Sequence, residues 1–429
     1  MHSPLKGIVV LEFSQYLSGP CAGLRLSDLG ARVIKIERPK EGEAGRKLAI
    51  EDLWVDEDSL LFHTINRGKE SFTADLNNEE DRRWLEMLIK KADVITHNFR
   101  PGVMARKGLD YESVKKINPG IIYTEISGYG NEGPWRDKPG QDLLAQSVSG
   151  LAYTTGNYHD DPLPFGLAIA DYLCGNQAVQ FILAALIRKR RTGQGAYLQL
   201  SLLETLIDFQ FEFFTTYFQN RKHHTRSEFN NGHSLLSAPY GIYKTSDGYI
   251  AIAMMPIARL NEALCCDELN GYKEEDAFAR RDEIKSVIAR HLLGATTQQW
   301  LERARTFDLW IMPVLNWNEL KKTETYRLSQ LTQPLGLRAS RAGTKTGPPP
   351  AETPLGDAKT GPADSETSLA DVKPELAGTN APPLIAEGGT LLTTRCPVRI
   401  NGQVFFNSDP APAVGEHVLK IRSELSVKL

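Results

Sequence analysis

Four apolar runs near the start of the chain constrain its fold most. They are GIVVLEFS (7–14), ARVIKIERP (31–39), DVITHNF (93–99) and GIIYTEISGYG (120–130), all rich in β-branched and aromatic residues. Helix-like stretches interleave with them. SGPCAGLRLSDLG (18–30) carries Ser18 and Pro20 at its start and Gly30 at its end, and NNEEDRRWLEMLIKKA (77–92) is amphipathic. This alternation predicts an α/β fold: a doubly wound, Rossmann-like domain with a mostly parallel sheet covered by helices on both faces. Ligands of such sheets bind beyond the carboxyl ends of the strands. FSQYLSGP, IERPK, NFRPG and GYGNEGP all fall at those ends.

Further along, 171–190 reads as a long apolar helix, and AYLQLSLLETLIDFQFEFFTTYF as a strand and another helix. YGIYKTSDGYIAIAM (240–254) reads as a hairpin with Asp-Gly in its turn. It opens a smaller α+β region with helices near 257–268, 282–293 and 296–306, followed by the strand WIMPVLNW. No Phe, Trp or Tyr occurs between Tyr326 and Phe405, and the stretch is rich in Gly, Pro, Ala and Thr. Such a composition buries too little apolar surface to offset its ordering entropy. The expected organisation is a large domain over 1–220, a small domain over 221–330, a linker or arm over 331–384, and a segment 385–429 that returns to the large domain.

The 429 residues carry a net charge of −3, so no overall field favours nucleic acid or an anionic membrane. No apolar run approaches the ~18 residues of a membrane span, and the first residues lack the pattern of a secretory signal. The cysteines at 21, 174, 265, 266 and 396 form no CxxC pair, and the histidines show no ligand spacing. Reduced thiols, a cytoplasmic location and no metal are expected. The SGPCAG loop is not GxGxxG, no GxxxxGK[ST] occurs, and GYGNEGP lacks the Ser of a GxSxG elbow.

Three features remain for chemistry. Asp171, in FGLAIADYLCGNQAV, opens the long helix and, taken alone, reads as its N-cap. The SGPCAG loop at a helix start could bind phosphate through backbone N–H groups. Arg38, Arg67, Lys69, Arg100 and Arg106 recur at loop positions, where they could form a basic rim for an anionic ligand.

Taken in order, several segments resemble the class III CoA-transferases, a family that also contains acyl-CoA racemases. These are LKGIVVLEFSQYLSGPCAGLRLSDLGARVIKIERP, NRGKESFTADLN, ADVITHNFRPGVMARKGL, INPGIIYTEISGYGNEGPW, GQDLLAQSVSGL, ADYLCGNQAVQFILAALIRKRRTGQG and GIYKTSDGYIAIA. The resemblance implies that Asp171 is the nucleophile and Asp142 a supporting carboxylate. It implies that Arg38, Leu76, Asn77, Asn98, Phe99, Arg100, Arg106 and Lys138 hold the CoA moiety. Acyl-CoA and a carboxylic acid would be the substrates, with no permanently bound cofactor, and two chains would interlock as a homodimer.

An aspartate suits the reaction because a carboxylate, ionised at neutral pH, can carry the acyl group and then CoA itself. Ala168 and Ala170 would leave room for the thioester, and the helix N–H groups would face developing oxyanions. Cys174, in apolar surroundings, reads as a packing residue. Leu17 stands where formyl-CoA enzymes carry Gln, and their glycine-rich gating loop has no counterpart, which argues against oxalate and formyl-CoA as substrates. The alternatives are an acyl-CoA racemase and a non-catalytic acyl-CoA-binding protein. Gln141 occupies the racemase histidine position and cannot serve as a base; His97 and His159 are the substitutes. The intact pair Asp171 and Asp142 counts against a binding protein.

Overall fold

The computed structural model of the chain describes residues 3–336 and 391–427. Its centre is a six-stranded, wholly parallel sheet of β1 (Val9–Glu12), β2 (Arg32–Glu37), β3 (Glu70–Thr73), β4 (Val94–His97), β5 (Ile122–Ser127) and β6 (Ala196–Ser201). The strand order is β3-β2-β1-β4-β5-β6, so the winding reverses between β1 and β4. That reversal opens a crevice at the carboxyl edge, where a doubly wound sheet receives its ligand.

Strand β3 escapes a local reading because three of its four residues, in ESFT, are polar. Their partners come from the far end of the chain. Lys420 Nζ donates to Glu70 at 2.7 Å, and the Gly415 N–H donates to the Ser71 hydroxyl at 2.9 Å.

Alternation along the strands sends successive side chains into two cores. Val10, Val33, Val94, Ile122 and Ile126 meet helices α1 (Ser18–Asp28), α5 (Ile169–Thr192) and α6 (Leu202–Phe209). Leu11, Ile34, Phe72, Ile95 and Tyr123 meet α2 (Glu79–Lys91), α3 (Tyr111–Ile117) and the C-terminal α11 (Val418–Ser426). Helix α4 (Asp142–Ser149) adds Ala145 to the first core, and α7 (Phe211–Asn220) follows α6 directly. The single helix expected after β6 is therefore two.

Helix α5 is long because Ala170, Cys174, Ala178 and Ile182 recur every fourth residue and form one buried stripe. Lys189, Arg190 and Arg191 close its last turn, and Gly193, at φ 71°, ends it in the left-handed conformation. Its small residues let α1 approach closely: a Cβ on Gly175 would lie 2.6 Å from the Ser18 carbonyl oxygen.

The second region forms as expected around the hairpin of β7 (Gly241–Lys244) and β8 (Tyr249–Ile252), joined by β9 (Ile311–Pro313). Helices α8 (Ile257–Leu264), α9 (Arg281–Leu292) and α10 (Thr297–Thr306) cover it through Leu260, Ile284, Ile288 and Trp300. The expected linker does not begin at 331. Residues β10 (Thr332–Leu335) form a strand because β11 (Leu391–Thr394) pairs with it antiparallel. The remainder of that segment, 337–384, lies outside the described residues. Among the described residues, no helix is long and apolar enough to cross a membrane.

Candidate active site

The loop after β1 lies in the crevice, pinned from three sides. Lys35 Nζ donates to the Ser14 carbonyl at 2.9 Å, and the Tyr16 N–H donates to Glu43 Oε2 at 2.9 Å. Asn98, just past β4, accepts the Gln15 N–H on Oδ1 and donates Nδ2 to the Gln15 carbonyl, both at 2.8 Å. Below the loop, Glu12 accepts from Lys35 at 2.9 Å and from Lys69 through both oxygens, and Arg67 forms a bidentate pair with Asp28. Arg67 and Lys69 are buried. The expected basic rim therefore loses both, because each neutralises an interior carboxylate. The SGPCAG segment is likewise no open phosphate loop, since Ser18, Gly19 and Pro20 are buried in the first turn of α1.

Asp171 is the third residue of α5 and does not cap it; the N-cap is Ala168, which makes no side-chain cap bond. The cap comes from α4. Asp142 Oδ2 accepts the N–H groups of Ala170 at 2.7 Å and Asp171 at 3.1 Å, while Oδ1 accepts Gln146 Nε2 at 2.5 Å. The Ile169 N–H goes to the Leu167 carbonyl. The first-turn N–H groups are thus already bonded, and the expectation that they face a developing oxyanion does not hold. Ala170 makes no room for a thioester either, because it is buried in the core.

Capping falls to Asp142, and the side chain of Asp171 takes no part in it. Replacing Asp142 by Ala should lower stability by about 0.5–2 kcal/mol in urea unfolding, whereas Asn, which keeps an acceptor oxygen, should recover most of it. Equal stabilities of wild type and Asp142→Ala would contradict the capping assignment.

Burial, and then the neighbouring Asp142 carboxylate, push Asp171 up to about 7. The Asp171 carboxyl of the free chain is thus about half ionised at neutral pH rather than fully so. Cys174, one turn on, is buried and pushed up to about 12, so it stays a neutral packing residue as expected.

The residues expected to hold CoA lie on adjoining loops of the same carboxyl edge. Arg38 follows β2 and is exposed. Leu76 and Asn77 follow β3; Leu76 packs on the second core, and Asn77 Oδ1 accepts Lys107 Nζ at 2.6 Å. Asn98, Phe99 and Arg100 follow β4, and Arg106 ends the short helix Val103–Arg106. Lys138 stands exposed in the 128–140 loop, whose ends touch through two glycines: a Cβ on Gly128 would lie 2.6 Å from the Gly140 Cα.

Arg136 and Asn131 of that loop, with Arg100, Glu125, Tyr197 and His97, line a cavity of about 240 Å³. Burial drives His97 down to about 3, so it is neutral and a poor proton acceptor at physiological pH. Among the described residues no His, Cys, Asp and Glu cluster could hold a metal. The local sequence had marked Ser18 only as helix punctuation and did not single out Glu43 or Lys107; their partners are distant in sequence.

A buried carboxylate raised toward neutrality beside a doubly wound switch point, edged by exposed cations, suits an α/β enzyme of group transfer on an anionic substrate. The pattern of CoA-transferase family III matches residues 5–360, and the chain belongs to that family. Succinate–glutarate CoA-transferase of Agrobacterium fabrum is 32% identical over 308 residues, covering 70% of this chain and 76% of that one. Acetyl-CoA:oxalate CoA-transferase of Acetobacter aceti is also 32% identical, covering 73% and 81%. A CaiB/BaiF family protein from Brucella suis superposes with a TM-score of 0.75 at 26% identity, over 99% of this chain and 100% of that structure. Enzymes of this family act on acyl-CoA and carboxylic acids, with the CoA thioester as substrate.

Proposed function

We propose that the chain moves CoA between short dicarboxylic acids through a covalent relay on Asp171. The observation that carries this reading is the Asp171 carboxylate left unused by the helix cap, while both oxygens of Asp142 are engaged. The Asp171 carboxylate attacks the donor thioester carbon, and the C–S bond breaks to release CoA thiolate and leave a mixed anhydride. The thiolate attacks the Asp171 acyl carbon, which frees the donor carboxylate and leaves an aspartyl-CoA thioester. The acceptor carboxylate attacks that thioester, and the returning thiolate takes the acceptor acyl group and regenerates Asp171. No proton is consumed over the cycle. Asp142 acts as a positioning residue that orients the first turn of α5.

Arg38, Arg100, Arg106 and Lys138 would bind the phosphates of CoA, with Leu76, Asn77, Asn98 and Phe99 along the same edge. The site would lie between a large domain of 1–220 with 385–429 and the small domain 221–330. Dicarboxylic acids are favoured because the similar enzymes are named for succinate, glutarate, oxalate and L-malate. The departures at Leu17 and the missing glycine loop therefore do not by themselves exclude oxalate. A racemase is disfavoured: Gln141 cannot exchange protons, burial makes His97 a poor proton acceptor, and His159 lies exposed. The free cysteines suit the cytoplasm.

The test is a mass assay of CoA exchange, with succinyl-CoA offered to glutarate, L-malate, oxalate and monocarboxylic controls. Transfer to at least one dicarboxylate is expected. Absence of transfer to any acid, or enzyme-dependent α-deuterium uptake in D₂O, would overturn the reading.

A homodimer accounts for apolar surface the single chain leaves open. Phe211, Tyr217 and Phe218 on α7, Leu143, Leu144 and Val148 on α4, and Phe181 and Ile187 on α5 are all exposed, and α7 buries none of its residues. Monomers rarely expose so many large side chains together. Sedimentation at micromolar concentration should show a dimer; a monomer would refute this.

A further inference from the structure

We infer that Gln146 is a positioning residue for transfer on Asp171. Its amide ties the Asp142 carboxylate and the backbone leading into α5 into one frame, and that frame fixes where the first turn of α5 presents Asp171. The inference rests on Asp171 being the nucleophile.

Both ends of the Gln146 amide are engaged. Nε2 donates to Asp142 Oδ1 at 2.5 Å and to the Leu167 carbonyl at 3.0 Å, and Oε1 accepts the Phe165 N–H at 2.8 Å. A flipped amide would set an oxygen against two acceptors and an amino group against a donor, so a single orientation is held. Gln146 is only 2% exposed, so water does not replace these bonds.

The two sides of the frame differ in how they are anchored. Helix α4 is fixed by the interior: Ala145 lies in the first core, and the Ser149 carbonyl accepts Gln210 Nε2 at 3.2 Å. The segment 165–168 finds no such core within the chain. The Phe165 and Leu167 side chains are exposed, and a Cβ on Gly166, at φ 81°, would meet open space. Residues 142 and 146 stand one turn apart on the same face of α4. From that face Gln146 holds the backbone at 165 and 167, and Asp142 holds it at 170 and 171.

A neutral amide suits this place because it donates to a carboxylate without itself titrating. Glutamate has nearly the same shape and keeps the acceptor for the Phe165 N–H, but it sets a like charge against Asp142. On the helices packed against α4, Asp171 of α5 lies beside Asp142. Glu204 of α6 accepts Ser201 Oγ at 2.6 Å, and Asp208 accepts Gln177 Nε2 at 3.0 Å.

The experiment measures kcat, and KM for acyl-CoA, of Gln146→Leu and Gln146→Glu between about pH 6 and pH 8, each as a ratio to wild type at the same pH. Gln146→Leu should lower kcat by about tenfold to a hundredfold throughout, with KM changed by about twofold or less, because the nucleophile is misplaced while CoA binding is not touched. Gln146→Glu should lose as much near pH 8 and recover about threefold or more toward pH 6, because burial and the Asp142 charge raise its carboxyl and the protonated form donates to Asp142 again. A purely structural role would not give that recovery. Melting curves show whether each variant is folded at the assay temperature, and Gln146→Glu alone decides the matter if Gln146→Leu is not. A kcat within about twofold of wild type in Gln146→Leu overturns the inference. So does a KM raised about tenfold at unchanged kcat, and so does a Gln146→Glu ratio that stays low and flat with pH. Full activity of Asp171→Asn would overturn the nucleophile itself; an inactive Asp171→Asn beside a fully active Gln146→Leu overturns only the role of Gln146.

Discussion

Asp171→Asn should fold, bind CoA and lose transfer activity by about 10³-fold or more, because an amide oxygen is a far poorer nucleophile than a carboxylate. Wild-type protein incubated with donor acyl-CoA should gain the mass of CoA on the peptide containing AIADYLCG. Hydroxylamine should release that CoA and leave a hydroxamate on the same peptide. Near-native transfer by Asp171→Asn, with deamidation excluded by peptide mass, would remove the relay.

The same variant carries a stability signature of the opposite sign. Burial and Asp142 raise the Asp171 carboxyl from 3.8 unfolded to about 7 folded. The fold therefore favours the protonated side chain: that stability is complete below 3.8 and is lost as pH rises through 7. Asp171→Asn has no such ionisation, so its melting temperature should exceed wild type at pH 8, with the gap closing by pH 5. A gap independent of pH would show that Asp171 is not held in this environment.

Glu12→Gln should be among the most damaging changes to the fold. Glu12 is fully buried between Lys35 and Lys69, and Lys35 also lies 3.2 Å from Glu43. Burial alone would raise the Glu12 carboxyl, but the two ammonium groups overcome it and hold the group below the ordinary carboxylate range. Burial lowers Lys69 to about 8, which still leaves it charged at neutral pH. Removing the carboxylate strands two buried cations, a loss on the order of 3–5 kcal/mol at pH 7. Because the Glu12 pKa is depressed in the fold, its contribution is complete above 4.5 and fades as pH falls through the folded value. Urea unfolding should accordingly show the wild-type advantage shrinking below pH 4.5. A cost under about 1 kcal/mol at pH 7 would mean that the network is not a unit. Since Lys35 also holds the Ser14 carbonyl, residual folded Glu12→Gln should have a loosened active-site loop.

Much of the architecture was legible along the chain, because it depends on local patterning. The apolar runs that became β1, β2, β4 and β5 alternate with helical segments, and that spacing leaves few options besides a parallel sheet. The Asp-Gly turn marked the hairpin of β7 and β8, and Gly193 closes α5 where the helical pattern stops. The loops expected at the carboxyl edge are there for the same reason: a parallel strand delivers its following loop to one side. The ordered segments also carried the family, and with it Asp171 and Asp142.

What the chain could not disclose is how side chains far apart in sequence share hydrogen bonds. Local sequence made Asp171 a cap; the cap is Asp142, 29 residues earlier, which takes up the N–H groups expected to serve the reaction. Arg67 and Lys69 looked like rim cations until β1 and α1 brought Glu12 and Asp28 against them. Strand β3 is polar because the last helix and its approach bring partners from more than 340 residues away. Residue type and spacing determined the strands and the helices, and the family resemblance singled out Asp171. Burial and partner geometry, which exist only once the chain has folded, decided which charges are free, which are neutralised and how readily Asp171 ionises.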